Sequence, residues 1–201
     1  TYFASIGNGG QGSVKQAAQD SNDSYASDRG FYQLLSKNGE NTFFGDLTAL
    51  GGGRGSSGDN TNQSSENGSV GGSGGGGQGE SGTKAGFAGT QTTDSSISVD
   101  SRTYGHGNSG GNGSSSDGGG GGGGGAGTVG SNGFNSSVGG AGGNGLKEVT
   151  VGVTSYNFAT IFGTTYCVDS DSDGNRWFAG GGGGGNANAN NNNVAGGKGG
   201  G

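Results

Sequence analysis

Three carboxylates alternate with serine in Asp169-Ser170-Asp171-Ser172-Asp173-Gly174. The spacing, with glycine in sixth place, matches the opening of an EF-hand-type calcium loop, where alternate oxygens and a sharp turn wrap a hard cation. Such a loop needs a bidentate glutamate at its twelfth position, and Gly180 stands there. The segment therefore reads first as a polar turn between a strand and a glycine run. Calcium held by Asp169, Asp171 and Asp173 is the second reading, and no other cofactor is expected.

His106 is the only histidine and Cys167 the only cysteine. His106 lies in Tyr104-Gly105-His106-Gly107-Asn108, a loop composition without companion ligands. Cys167 follows Tyr166 in a β-favouring stretch and reads as a small buried hydrophobe. Gly77-Gln78-Gly79-Glu80-Ser81-Gly82-Thr83-Lys84 nearly matches a phosphate-binding loop, but the lysine comes one residue late and Ala85 follows it. Matches to G-x-G-x-x-G neither follow a clear strand nor open a helix, so they carry no dinucleotide reading. No acid, base and nucleophile form one constellation, and a non-enzymatic protein is expected.

Elements that could position these residues must be built from unusual material. The chain has 201 residues, of which 58 are glycine and none is proline or methionine, and only 24% are hydrophobic. Gly118 to Gly125 is an unbroken glycine run. Ordering a residue costs about 1–2 kcal/mol, and glycine loses the most freedom. So few apolar side chains cannot offset that cost. Either the chain is disordered, or its backbone supplies the packing and the hydrogen bonds. Charged residues are only 12%, and nine Phe, six Tyr and one Trp are spread along the chain, which favours order.

Net charge is −6, and the basic residues are scattered, which argues against nucleic acid. No apolar stretch approaches the roughly 20 residues of a membrane span. The chain begins at Thr1, without a visible signal peptide, and is expected to be processed or a piece of something longer. Five Asn-x-Ser/Thr sequons, at Asn22, Asn62, Asn67, Asn112 and Asn135, permit glycosylation without arguing for it.

Along the chain, residues 1–50 are the least glycine-rich and carry short extended runs at Gly30–Leu35 and Thr42–Leu50, with a weaker helical turn around Val14 to Gln19. Residues 51–145 alternate glycine runs with Ser/Thr/Asn/Asp loops. Residues 146–179 are the strongest β element: Val149, Val151 and Val153 alternate with Thr150, Gly152 and Thr154. The extended run is expected to continue through Tyr156, Phe158, Ile161, Phe162, Tyr166 and Val168, with a hairpin turning near Gly163 or Asp169–Gly174. Residues 180–201 return to glycine around the Asn186 to Asn193 tract, which reads as an exposed loop. Large apolar groups precede glycine runs at Leu47–Leu50 and Trp177–Phe178, where they would seal the ends of the glycine segments.

The expected architecture is mostly irregular or polyproline-II-like. Polyglycine II helices would form a bundle with a few short β-strands, long polar loops and little or no α-helix. Such helices have three residues per turn, rise about 3.1 Å per residue and make no internal hydrogen bonds. Their amides must therefore find partners on neighbours. Collagen is excluded, because it needs glycine in strict register with abundant proline.

Phe43-Phe44-Gly45-Asp46-Leu47-Thr48-Ala49-Leu50-Gly51-Gly52-Gly53, Val149-Thr150-Val151-Gly152 and Asp173-Gly174-Asn175-Arg176-Trp177-Phe178-Ala179-Gly180 carry a resemblance. Over most of residues 40–201 the chain resembles phage tail-fibre tip adhesins and the glycine-rich region of anaplastic lymphoma kinase-type receptors. The resemblance implies bundled polyglycine II helices and an extracellular or virion-surface location. The first expectation is a structural subunit or segment of a fibre or surface appendage, with self-association or other fibre subunits as partners. The second is recognition of a surface glycan or receptor by loops carrying Tyr104, His106 and Phe134. Ice binding is a third, which would need a flat regular face that these long loops do not suggest.

Overall fold

The computed structural model describes residues 3–10, 36–45, 47–56, 68–79, 85–91, 106–114, 118–134, 138–151, 153–163, 169–170, 174–185 and 194–199. Regular structure within them is sparse. A three-stranded antiparallel sheet has the order β1 (Ala4–Ser5), β2 (Thr42–Phe44), β3 (Leu47–Ala49). The apolar run at 42–50 is thus a hairpin, turning where Gly45 adopts φ 57°, a left-handed value that glycine reaches without steric cost. β4 (Glu148–Val151) pairs antiparallel with β5 (Thr154–Asn157), and β6 (Asp169–Ser170) with β7 (Arg176–Trp177).

β4 takes up Val149 and Val151 of the valine alternation, but the run is not one strand: Val153 lies between β4 and β5 and is fully exposed, and β6 and β7 pair on either side of the expected Asp169–Gly174 turn. The extended run does not continue past Asn157. Residues Phe158–Phe162 form a one-turn helix, α1, because the Asn157 side chain caps it, accepting from the Ala159 amide at 2.9 Å. Gly163, at φ 64°, closes the turn by donating to the Ala159 carbonyl at 3.1 Å, so it ends a helix instead of turning a hairpin. The runs at 31–35 and 14–19 lie outside the described residues.

Among the described residues no hydrophobic side chain is buried. The buried positions are mostly glycines, including Gly74–Gly77, Gly121, Gly122, Gly124 and Gly125. The interior is built from main chain. Extended threads run side by side, and the thread at 120–126 is the innermost.

Its amides follow a rotation. Gly120, Gly123 and Ala126 donate to the carbonyls of Gly185, Gly182 and Ala179, each at 2.8 Å. Gly121 and Gly124 donate to Gly77 (2.8 Å) and Gly74 (2.9 Å). Gly122 and Gly125 donate to Ser131 (2.9 Å) and Thr128 (3.0 Å). Successive amides thus point to three different neighbours, and every third amide returns to the same one. The carbonyls rotate likewise: Gly120 and Gly123 accept from Gly140 and Gly143, and Gly122 accepts from Gly111.

Surrounding threads bond to one another in the same rhythm. Gly74 and Gly77 donate to Asn108 and Gly111, Gly130 and Gly133 to Ser109 and Asn112, and Gly184 and Gly181 to Gly140 and Gly143. Residue order shows 74–77, 108–114, 128–131 and 179–185 running antiparallel to the inner thread, and 140–143 running parallel. This closeness requires bare α-carbons. A methyl added to Gly121, Gly122 or Gly124 would strike the carbonyl oxygen of Gly111, Ala141 or Asn108.

Candidate functional site

Two surfaces have the chemistry to bind something. At one end of the bundle, Phe178 stands just before the glycine run and packs edge-on against Phe158 (5.1 Å between centroids) and Phe162 (5.5 Å). The Phe178 amide and carbonyl pair with Leu146, fixing the ring where the 139–145 and 179–185 threads end. The three rings cluster where large residues precede a glycine run, with Phe162 still 44% exposed. Trp177, half-buried beside it, has the ammonium of Lys198 5.1 Å and that of Lys147 5.9 Å from its ring. Both cations lie within reach of the ring quadrupole. Two ammonium groups held at one indole ring make a local cationic patch suited to an anionic group.

The second surface is a groove along the inner thread. Gly120 and Gly123 are half-buried while Gly121, Gly122, Gly124 and Gly125 are buried. A β-carbon on Gly120 would come no closer than 3.3 Å to Gly185, and on Gly123 no closer than 3.4 Å to Gly182. On one side the groove is walled by 179–185, where Gly182 and Gly185 are exposed. Its other wall is 74–77, extended outward by 50–56 through Gly53 to Ser73 (2.7 Å) and Ser56 to Gly76 (3.1 Å). Beyond 50–56 lies a cavity of about 440 Å³, lined by Gly52, Gly55, Gly7, Gly9, Lys37 and Glu40 among others.

The residues singled out in the sequence are not brought together. Phe134 is 79% exposed beside a turn in which its amide donates to Val138 at 3.1 Å. His106 is exposed at the start of the 106–114 thread, and Tyr104 lies outside the described residues. Asp169 pairs through its backbone with Trp177, whereas Asp171 and Asp173 lie outside the described residues. Cys167 lies outside them as well. Among the described residues no three His, Cys, Asp or Glu side chains gather as a metal site, and no helix is long and apolar enough to cross a membrane.

Sequence reasoning missed the two lysines at Trp177. They come from residues 147 and 198, joined only because the threads that end there are neighbours. It also missed the groove, which no side chain marks. Comparison with protein-family models, with curated proteins and with solved structures gave no match.

Proposed function

We propose that the threads are polyglycine II helices, and that the protein is a non-enzymatic extracellular structural subunit or segment of a fibre or surface appendage. One observation carries the first part: the amides of residues 120–126 rotate among three neighbours with a three-residue repeat. A helix of three residues per turn without internal hydrogen bonds requires that repeat. A β-strand, with its period of two, would address only two neighbours. The glycine content follows from the same geometry, since lateral contact at about 5 Å leaves no space for β-carbons. Cα–H···O contacts between threads add modestly to the N–H···O bonds.

The structural role rests on the kind of stability this arrangement gives. Rods joined laterally by main-chain bonds form a stiff body whose surface sequence is free to vary. Vibrational circular dichroism of the purified protein and electron microscopy of the native particle test the proposal. A left-handed polyproline-type spectrum with continuous filaments is expected. A random-coil spectrum overturns the architecture, and single copies on a particle overturn the fibre role.

A second reading, recognition at a phage fibre tip, draws support from the outward-facing Phe134. Function on loops held by a rigid scaffold is common. Loss of cell-surface binding by Phe134→Ser, with filaments absent, would favour it over the fibre.

A further inference from the structure

We propose that the groove along Gly120 and Gly123 is a docking site for the glycine-rich segment of a second copy of this chain that begins with the thread at residues 7–10 and whose sequence runs on to Gly12. The inference deepens the structural reading above and rests on its three-residue helical geometry.

In such a helix three rows of amides alternate with three rows of carbonyls around the axis. Five of these six directions around 120–126 are taken by the threads at 74–77, 108–114, 128–131, 139–143 and 179–185. The remaining row, the carbonyls of Gly121 and Gly124, accepts no hydrogen bond among the described residues. By alternation it lies between the amide rows that reach 74–77 and 179–185. That is where added β-carbons on Gly120 and Gly123 would point, without the backbone collisions met at Gly121, Gly122 and Gly124.

The walls offer the matching polarity. The amides of Gly182 and Gly185 on one side, and that of Gly76 on the other, donate to nothing among the described residues. The carbonyl of Gly53 accepts nothing there either. An incoming thread would donate to Gly121, Gly124 and Gly53 while accepting from Gly182, Gly185 and Gly76. This is the alternation of rows already found around the inner thread. The groove is a missing member of the lattice.

Its occupant must carry side chains on only one row, because the other two rows meet a wall. Gly7-Asn8-Gly9-Gly10-Gln11-Gly12 has that pattern, with Asn8 and Gln11 three apart and glycine elsewhere. The thread at 7–10 is mostly exposed and bonds only to 40–42 among the described residues: its Asn8 side chain donates to Glu40 at 2.9 Å. Gly9 faces open space. Gly52 and Gly55, on the 50–56 wall of the groove, line the same 440 Å³ cavity as this thread, so thread and groove wall are neighbours. Two copies can therefore exchange threads reciprocally, each filling the other's groove.

Sedimentation velocity across a concentration series tests this with the full chain. Wild type is expected to self-associate. Gly55→Val on the 50–56 wall, Gly123→Ala in the groove and Gly9→Val on the incoming thread should each weaken association at least tenfold. An added β-carbon at Gly9 or Gly55 meets nothing within 4 Å in one copy, and at Gly123 it meets Gly182 at 3.4 Å, an ordinary van der Waals contact. Val129→Ser, on an exposed position elsewhere, should leave association unchanged. A wild type that stays monomeric overturns the proposal, as does association unaffected by the groove variants. Hydrogen exchange separates the two ideas. Unprotected amides at 120–126 defeat the bundle itself, whereas protected amides in a strict monomer defeat only the docking.

Discussion

Asn108 turns its side-chain amide onto the carbonyl oxygen of Gly125 at 2.9 Å, and onto that of Ala126 at 3.1 Å. The Asn108 carbonyl meanwhile accepts from Gly74 at 2.9 Å. One residue thus ties the end of the inner thread to two others, with a side chain standing in where main-chain donors run out. Asn108→Ala leaves both carbonyls without that donor. The expected loss is about 1–3 kcal/mol, the cost of an unsatisfied buried acceptor, measured by chemical denaturation.

Alanine substitutions along the inner thread should show a threefold rhythm. Ala at 121, 122 or 124 collides with a neighbouring backbone carbonyl, and each is expected to cost more than about 3 kcal/mol or to prevent folding. Ala at 120 or 123 meets no atom closer than 3.3 Å. Ala at 123 should be neutral, or should stabilise the monomer by up to about 1 kcal/mol by restricting the unfolded chain, and Ala at 120, tight against the Gly185 carbonyl, should cost far less than the three that collide. Thermal unfolding of the five variants checks the pattern; uniform losses would contradict it.

Hydrogen exchange should reproduce the rhythm in 181–185. The amides of Gly181 and Gly184 are bonded at 2.8 Å, whereas Gly182 and Gly185 are exposed and donate to nothing among the described residues. At concentrations where the protein is a monomer, the first two should exchange at least tenfold more slowly than the other two. NMR of labelled protein reads this directly.

Phe178→Ala removes two edge-on ring contacts from the cluster. With each pair worth about 0.5–1.5 kcal/mol, the loss should be roughly 1–3 kcal/mol. Because Trp177 adjoins the site, its fluorescence should shift to the red in the folded variant. An unchanged spectrum would mean that the ring cluster does not shield the indole.

Legibility in the sequence divides by whether a residue has a side chain. Val149 and Val151 announce β4 because β-branched residues spaced two apart are the mark of a strand. Phe178 before Gly180 announces the ring cluster because a large ring has few places to go. The helix at Phe158–Phe162 escaped notice because five residues cannot display a helical period, and only Asn157 signals the cap. Within Gly118–Gly125 all residues are alike, so nothing in the letters tells Gly121, pressed against Gly111, from Gly120, which is not. The difference comes from neighbours distant in sequence. The Trp177–Lys198 contact is hidden for the same reason.

A main-chain interior also sets the response to temperature. Unfolding an ordinary domain wets much apolar surface, which raises the heat capacity and bends the stability curve, so that stability falls on cooling as well as on heating. With no hydrophobic side chain buried among the described residues, those residues have little such surface to wet. The protein's calorimetric heat-capacity step should be small for its length, and its stability should keep rising as the solution is chilled toward freezing.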